Sequence, residues 1–571
     1  MRSLILASSI ALIPAVLGAQ TQQPGQSAVV PQPATMLPLK HTPQPTTSAI
    51  SAADLMTRLY IFADDSMQGR EAGTIGNVKG TDYIASEVKR LGLTPAGDSG
   101  GYFQTLPFKT RATDPTSTVT VGGARMAYGV EWAAASPDSA SGADVPVIYA
   151  GVLGDSASII SPEQAAGKLV LFAFGPNSGR AFGSLARLTA NAAAAGVILP
   201  AQFLGFVARP TQFIDSPGMP ALTKATIYFT PASAAKLFDD PVAQLKSGAA
   251  GKPISFAIRS KTDPVPYPAR NVVAILPGSD PKLKGEYVAI GAHNDHIGFN
   301  HAPVDHDSIR IFNHIVRPGG AEDQGNRATA DQQAEVNKLL ANWRASHPGT
   351  SRPDSISNGA DDDGSGSVSV LEIAEKLVAQ NPKPKRSVLF VWHVGEEKGL
   401  LGSAYFTDHP TVPRDSIVAQ LNIDMVGRGD AWDMTGTTKE GAQIHGNPNY
   451  LQVVGARRLS TELGDVLEKV NTEGKHGLAF DYAIDANGHP ANIYCRSDHY
   501  EYARYGIPIA FFTTGVHSDY HQVTDEPQYI DYDHMVKVDN FIAALAMRVA
   551  DLDHRVVVDH PKPDPTMACR Q

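Results

Sequence analysis

Residues 287–296 read YVAIGAHNDH, an apolar run that ends in two histidines and an aspartate. Four further apolar runs have the same character: Val272 to Leu276, Ser387 to Val394, Ile417 to Met425 and Pro508 to Thr513. Unbroken apolar runs are typical of strands that are covered on both faces. Residues with helical spacing lie between them, for example Val368, Leu371 and Ala374. This alternation predicts an α/β fold with a mainly parallel (mixed) central sheet and helices on both faces.

The pattern also predicts a catalytic domain made of two separate segments, residues 51–125 and residues 258–555. Residues 126–257 are different: short apolar runs alternate with Gly, Pro and Ser, which predicts an inserted β-rich domain. One alanine-rich helix, Leu185 to Ala195, is expected there, followed by a strand from Gly196 to Leu199. This stretch carries no ionisable residues at the spacing of metal ligands.

The N-terminus has the order of a secretory signal peptide, in which Arg2 precedes an apolar run that ends at Gly18 and Ala19. We expect residues 1–19 to be removed, residues 20–50 to be a disordered linker and residues 556–571 to be a tail. No later run is long enough to cross a membrane. The protein is therefore expected to be secreted or periplasmic.

Composition narrows the classes of function. The chain has 571 residues and a formal net charge of −10, which argues against a nucleic-acid partner. Its two cysteines, Cys495 and Cys569, are too few for a zinc site built from thiolates. Whether these two cysteines pair stays open at this stage.

Unusual polar residues follow the predicted strands. The runs are followed by the motifs HNDH (residues 293–296), GEE (395–397) and HSDYH (517–521), while Asp424 lies near the end of a fourth run and the turn NGADDDGSG (358–366) precedes a helix. Sites in such sheets form at the carboxyl ends of the strands. Each motif alone is weak evidence, since acidic turns are commonly solvated. Five of them in the same kind of position predict a shared metal site.

As a set, these motifs resemble the zinc exopeptidase family that includes aminopeptidase Y, bacterial leucyl aminopeptidases and glutamate carboxypeptidase. The resemblance implies two Zn²⁺ ions per chain, bridged by Asp362. His293 and Asp424 would bind one ion, and Glu397 and His521 the other. Zinc accepts this mixture of imidazole and carboxylate ligands.

The same resemblance implies that Glu396 is the general base and that Asp295 supports His293. Tyr520 is a further hypothesis, as a group that stabilises the oxyanion. Asp498 and His499, in RSDHYEY, resemble a segment that lines the cleft, while packing is the expected role of His393. Separately, GKLVLFAFG and ANAAAAGVILP in the inserted domain resemble the protease-associated domain.

The chain also departs from the family pattern. Asn294 stands where Tyr or Leu is common, and Asp361 and Asp363 both flank the bridging position. Residues 297–357 form a long polar insert with a predicted helix, Asp331 to Trp343, and three histidines: His301, His306 and His314. We expect the insert to overhang the substrate pocket. A third metal site there is a weaker hypothesis, because loop His and Asp residues usually face solvent.

The predicted activity is that of an aminopeptidase acting on peptides. Basic residues are sparse near the motifs (Lys398, Arg428 and Arg496), whereas a carboxypeptidase needs cations for the substrate carboxylate. A carboxypeptidase or dipeptidase of the same family is the main alternative. A glutaminyl cyclase, a non-enzymatic binding protein and a two-metal phosphoesterase are less consistent with the retention of every presumed ligand and of Glu396.

Overall fold

The computed structural model describes residues 37–134, 139–175, 178, 185–214, 226–323, 326–348, 351–567 and 569–571. The predicted signal peptide, residues 1–19, and residues 20–36 of the predicted linker lie outside these ranges. The prediction of disorder is wrong for residues 37–50, because their side chains find partners on the folded domain. Ile50 is buried, and the Thr46 hydroxyl donates a hydrogen bond to Glu375 at 2.7 Å.

The α-helices of the described part of the chain are α1 (Ala52–Phe62), α2 (Ile75–Arg90), α3 (Pro162–Ala165), α4 (Leu185–Leu188), α5 (Leu204–Val207), α6 (Pro231–Phe238), α7 (His306–Val316), α8 (Ala330–Ser346), α9 (Gly366–Ala379), α10 (Leu401–Asp408), α11 (Thr461–Glu473), α12 (His499–Ala503) and α13 (Tyr532–Ala550). The helix predicted from Asp331 to Trp343 corresponds to α8, and the helical spacing of Val368, Leu371 and Ala374 corresponds to α9. Side-chain caps mark several starts: Ser51, for example, accepts a hydrogen bond from the Asp54 N–H.

The strands are β1 (Thr94–Pro95), β2 (Phe103–Thr105), β3 (Phe108–Thr113), β4 (Thr118–Val121), β5 (Ala124–Arg125), β6 (Trp132–Ala134), β7 (Ala140–Val152), β8 (Leu169–Ala173), β9 (Ala194–Ile198), β10 (Thr211–Ile214), β11 (Thr226–Phe229), β12 (Ala250–Ile258), β13 (Ser260–Pro264), β14 (Arg270–Leu276), β15 (Tyr287–His293), β16 (Gly298–Asp305), β17 (Pro353–Ser357), β18 (Ser387–His393), β19 (Ile417–Ile423), β20 (Met434–Thr437), β21 (Gln443–His445), β22 (Tyr450–Val454), β23 (Ala479–Asp481) and β24 (Ile509–Thr513). The five predicted apolar strands correspond to β14, β15, β18, β19 and β24.

A mixed central sheet organises the catalytic part of the described chain. Its strand order is β1-β14-β18-β15-β19-β24-β22-β23, and β2 pairs with β14. Strands β18, β15, β19 and β24 run parallel, whereas β14 and β22 pair antiparallel with their neighbours β18 and β24. The predicted mixed α/β class is therefore confirmed.

Helices cover both faces of this sheet. Leu55 of α1, Leu371 of α9 and Phe541 of α13 belong to one buried cluster with the sheet. Phe406 of α10 and Tyr502 of α12 belong to the cluster on the other face. All seven residues of β18 are buried, which explains its unbroken apolar sequence.

A second sheet contains the strands β5-β4-β12-β7-β8-β9-β11-β6 of the described residues. It begins at Thr118, before the boundary predicted at residue 126, because β4 pairs with β12. The alanine-rich helix is shorter than predicted: α4 ends at Leu188, and β9 already begins at Ala194. Strand β9 lies between β8 and β11 and is entirely buried, so burial in the sheet overrides the helix propensity of alanine.

The polar insert follows β15 directly. It is built from β16 and β17, which pair antiparallel, and from α7 and α8, which pack together around Ile311, Val316 and Val336. A turn at Gly320–Asp323 lies on the loop after β24: the Ala321 N–H donates to the Tyr520 carbonyl at 3.1 Å. The insert therefore contacts a loop that carries predicted site residues.

Among the described residues, none of the helices combines the length and the apolar composition needed to span a bilayer.

Candidate metal and catalytic centre

Parallel strands bring the predicted motifs to one edge of the central sheet. His293 is the last residue of β15 and lies in register with His393, the last residue of β18. Glu396 and Glu397 follow β18, Asp424 follows β19, and His521 belongs to the loop after β24. Because β18, β15, β19 and β24 are parallel neighbours, their carboxyl ends meet at this edge.

Asp362 lies between two groups of side chains. Its Oδ1 is 3.1 Å from Nε2 of His293, which in turn is 3.6 Å from Oδ1 of Asp424. Its Oδ2 is 2.9 Å from Nε2 of His521, which is 3.1 Å from Oε2 of Glu397. The two oxygens of one carboxylate therefore face two separate sets of ligand atoms.

His296 is the functional residue that sequence reasoning missed. Its Nδ1 is 2.7 Å from Oε1 of Glu397 and 3.8 Å from Oδ2 of Asp362, and its ring lies edge-on to that of His521. With Asp362, Glu397 and His521, it forms a group whose ligand atoms all lie within 4.8 Å of one another. The second histidine of HNDH was a visible candidate in the sequence. However, the strand pattern does not predict the direction of a side chain that lies beyond the end of the strand.

A glycine makes room for this histidine. Gly359, in the turn before α9, has φ +56°, and a Cβ there would lie 2.5 Å from the His296 ring and 2.2 Å from the Asp362 carbonyl oxygen. Only a residue without a side chain fits both this backbone conformation and this close approach. The turn and the His296 ring are thus packed directly against each other.

The two aspartates that flank Asp362 have other partners. Oδ2 of Asp363 accepts from the His293 N–H at 3.0 Å, and its Oδ1 accepts from Gly366 and Met425 N–H groups. Asp361 accepts from the Gly427 N–H at 2.6 Å, while its second oxygen is 3.2 Å from His517 Nε2. These carboxylates hold the loops around the site in place.

Glu396 lies beside the first group, with Oε2 4.0 Å from Nε2 of His293. Burial raises the pKa of Glu396 well above its ordinary value. Burial also acts to raise the pKa of Glu397, as does the charge of Asp362, but His521 and His296 lower it to about 2. The neighbours thus differ: Glu397 is held as an anion, and Glu396 is a group that takes up a proton readily.

Asp295 has a different position from the one expected. Its carboxylate Oδ1 is 3.8 Å from Nδ1 of His293, and the closer partner of that nitrogen is the Asp295 backbone oxygen, at 3.1 Å. The same Oδ1 accepts from the N–H groups of Gly395 at 2.7 Å and Glu396 at 3.2 Å. The Asp295 side chain therefore fixes the backbone that carries Glu396.

The predicted wall residues divide into two kinds. Asp498 and His499 are fully buried. Oδ2 of Asp498 is 3.4 Å from Nδ1 of His393, and His499 stacks on Phe511. Tyr520 is partly exposed, and its ring stacks on that of His521. Of the three, only Tyr520 is placed to meet a ligand.

The donor set fits zinc. Nε2 of His296 is buried without a hydrogen-bond partner, while Nε2 of His293, Nδ1 of His296 and Oε1 of Glu397 are buried in close contacts that do not have hydrogen-bond geometry. Unsatisfied buried polar atoms are costly, and cations bound between them would satisfy them. Imidazole nitrogen with carboxylate oxygen is the set that catalytic zinc sites use.

A third group, His306, Asp354 and Glu526, lies in and beside the insert. The expectation that histidines of the insert face solvent is wrong for His306, which is buried. Its Nδ1 lies 3.2 Å from Asp354, and its Nε2 lies 3.3 Å from the Tyr529 hydroxyl. With both ring nitrogens partnered, this group is a polar network that joins the insert to the domain. The side chain of His301 lies outside the described atoms.

The three basic residues that the sequence places next to the motifs are each paired with a carboxylate. Lys398 contacts Glu71 at 2.9 Å, Arg428 contacts Asp519 at 2.9 Å, and Arg496 contacts Glu322 at 2.6 Å. From the insert, Nε of Arg310 lies 3.6 Å from Asp519. Next to Arg496, Cys495 forms a disulfide with Cys569, which answers the open question of their pairing.

Known proteins resemble this chain most clearly in the catalytic part. The model of peptidase family M28 matches residues 271–546. Leucine aminopeptidase 1 of Coccidioides posadasii (strain C735) is 31% identical over 34% of this chain and 47% of its own length. Leupeptin-inactivating enzyme 1 of Streptomyces exfoliatus is 27% identical over 33% of this chain and 38% of its own. The chain thus spans less than half the length of these curated relatives.

Among solved structures, the aminopeptidase from Aneurinibacillus sp. strain AM-1 aligns over 90% of this chain and 97% of its own, with 17% identity and a TM-score of 0.49. The family match contains the strands β15, β18, β19 and β24 and all the site residues placed above. The resemblance to the zinc exopeptidases is confirmed by this match, in which residues 271–546 fit the model of peptidase family M28.

Proposed function

We propose that this protein is a two-zinc exopeptidase that removes N-terminal residues from peptides. The observation that carries the proposal is the position of Asp362, whose two carboxylate oxygens face two different sets of ligand atoms. A carboxylate shared in this way is suited to bridge two metal ions about 3.5–4 Å apart.

The proposed ligands follow from the distances. His293 and Asp424 would hold one ion, Glu397 and His521 would hold the other, and Asp362 would be shared between them. We add His296 to the second ion, because it is fully buried, lacks other partners for its ring nitrogens and lies within 2.7 Å of Glu397. The two ions would then differ in their number of protein ligands.

Zinc bound by these residues would supply Lewis acidity for the scissile carbonyl and for the attacking water. Glu396 takes the proton of the attacking water and later delivers it to the leaving amine. Asp295 holds the Glu396 backbone in place through its two N–H contacts. The Tyr520 hydroxyl, 3.5 Å from Nη2 of Arg496, is positioned to donate to the oxygen that becomes negative.

The pairing of basic residues favours an aminopeptidase. A carboxypeptidase needs a cation that is available to the substrate carboxylate. Lys398, Arg428 and Arg496 instead neutralise carboxylates of the protein itself. The anionic groups at the site favour a substrate ammonium group.

The disulfide supports the proposal that the protein acts in an exported location. Such bonds persist in oxidising compartments and are rare in the cytosol. This agrees with the expectation of a secreted or periplasmic protein, which rests on residues 1–19.

The test is metal analysis combined with a direction assay. Purified protein should contain two zinc ions per chain and should hydrolyse leucine-p-nitroanilide and free-amine peptides. N-acetylated peptides with free C-termini should be poor substrates. Faster cleavage of the acetylated set, with release of C-terminal residues, would reverse the direction and leave the metal assignment standing.

A further inference from the structure

The insert places a carboxylate at the mouth of the proposed site. Gly320, in the turn Gly320–Asp323, packs so closely on the loop after β24 that a Cβ there would lie 2.7 Å from the carbonyl oxygens of His517 and Tyr520. The Ala321 N–H donates to the same Tyr520 carbonyl. These contacts hold the next residue, Glu322, against Arg496, with 2.6 Å between the charged atoms.

Arg496 lies next to the reacting groups. Ser497, its neighbour in sequence, donates a hydrogen bond to Asp424 at 2.7 Å, and Nη2 of Arg496 is 3.5 Å from the hydroxyl of Tyr520. Burial acts to lower the pKa of Arg496, but the charges of Tyr520, Glu322 and Glu396 together raise it above its ordinary value. The ring of Tyr520 in turn stacks on that of His521, a proposed zinc ligand, so the guanidinium lies one side chain away from the proposed metal site.

The ion pair is accessible from solvent, since the side chains of Arg496 and Glu322 are 38% and 43% exposed. A guanidinium in such a position is the natural partner for a substrate carboxylate near the scissile bond. Among the substrates of an aminopeptidase, only dipeptides carry the C-terminal carboxylate on the residue that directly follows the scissile bond.

We propose that Glu322 is a specificity-determining residue: by occupying Arg496, it makes the enzyme discriminate against dipeptides and favour substrates without a carboxylate at that position. This inference rests on the proposed aminopeptidase function. It assigns to the insert a selective role, carried by one exposed carboxylate that is not among the proposed metal ligands.

The experiment compares Leu-Gly with Leu-Gly-amide on the full-length, zinc-loaded protein. The two substrates differ in a single carboxylate. The parent protein should prefer the amide. Glu322→Gln keeps the size of the side chain but frees the guanidinium, so the ratio of kcat/KM for Leu-Gly over Leu-Gly-amide should rise about tenfold, mainly through KM, as expected for one charge-assisted hydrogen bond.

Two further variants make the result specific. Glu335→Gln removes another carboxylate of the insert, one that pairs with Lys338 on the surface, and should leave the ratio unchanged. Adding Arg496→Met to Glu322→Gln should abolish the rise in the kcat/KM ratio, because that rise depends on the guanidinium of Arg496.

If the kcat/KM ratio is unchanged in Glu322→Gln while zinc content and cleavage of leucine-p-nitroanilide stay parental, the role of Glu322 is overturned and the proposed function stands. A parent protein that cleaves Leu-Gly as well as the amide would also overturn it. If the parent protein cleaves none of these free-amine substrates, the proposed function itself fails.

Discussion

Glu396 and Glu397 are adjacent in sequence but have different surroundings. Glu397 lies among His296, His521 and Asp362, whereas Glu396 is near His293 and has a pKa raised by burial. Their sequence alone does not separate a ligand from a base. Their positions relative to the two groups of ligand atoms do.

We expect Glu396→Gln to lower kcat on leucine-p-nitroanilide by at least ~10²-fold, because the amide cannot accept the proton of the attacking water. Zinc content should stay near that of the parent, which atomic emission analysis would measure. Glu397→Gln is the matched control, and there zinc itself should be lost. Substantial activity in Glu396→Gln would assign the base elsewhere.

For His296, we expect His296→Gln to weaken one of the two zinc ions and to leave the other bound. Loss of a ligand should lower affinity by at least about tenfold, the low end of what changes around a metal site cost. Competition with a chromophoric chelator would measure both affinities. His306→Gln is the control, since that buried histidine has partners for both ring nitrogens and should not affect zinc. Parental affinities in His296→Gln would remove this residue from the ligand set.

At the scale of elements, one buried arginine joins three helices of the catalytic domain. Arg58 of α1 is fully buried and pairs with Glu372 and Glu375 of α9 and with Glu87 of α2. An arginine in a helix is usually exposed, so the sequence does not predict that Arg58 is buried in a cluster of carboxylates. Two of its partners, Glu372 and Glu375, lie more than 300 residues away along the chain.

We expect Arg58→Met to lower the stability of the catalytic domain by about 3 kcal/mol, because it leaves buried carboxylates unpaired. Burial already raises the pKa of Glu372, to about 7 against the pull of Arg58. A folded-state pKa above the unfolded value makes the folded form less stable as pH rises through that interval. The loss should therefore be smaller at pH 5 than at pH 8, as urea unfolding at both pH values would measure.

The matched control for Arg58 is Arg548→Met, which removes a surface arginine from its pair with Glu473 and should cost less than about 1 kcal/mol. An equal loss in the two variants would contradict a special role for the buried cluster.

At the scale of the whole molecule, the second sheet is separate from the proposed chemistry. The groups of possible metal ligands found in the described residues all lie outside residues 118–258. We propose that this module shapes access to the cleft or binds large substrates.

Accordingly, Val130→Ser and Phe203→Ser, which alter exposed apolar side chains of that module, should leave kcat/KM on leucine-p-nitroanilide within about twofold of the parent value. Cleavage of a long peptide or a protein substrate is the companion measurement. Abolished hydrolysis of the small substrate in a correctly folded variant would mean that the module supplies a group to the active site.

Much of the catalytic fold could be predicted from sequence, because buried parallel strands carry a strong local signal. The runs that form β14, β15, β18, β19 and β24 are apolar throughout. This composition can be recognised without knowing which strand lies beside each of them. The sequence does not show whether two neighbouring strands run parallel or antiparallel. The antiparallel pairing of β14 with β18 and of β22 with β24 is therefore known only from the structure. The failure at Ala194 and Ala195 has the same origin, since tertiary packing placed these predicted helical residues in strand β9.

The motifs by themselves predicted a metal site at one edge of the sheet, because the residues that follow parallel strands meet there. The five proposed ligands and the base were implied by the family resemblance that the motifs carry. Only the tertiary structure decided what depends on contacts between distant segments: the approach of His296 to Glu397, the burial of Asp498 and His499, and the pairing of Arg496 with Glu322. The ion pair joins residues 174 positions apart. The spacing of residues along the chain does not predict such a contact, because the contact depends on how the insert packs on the loop after β24.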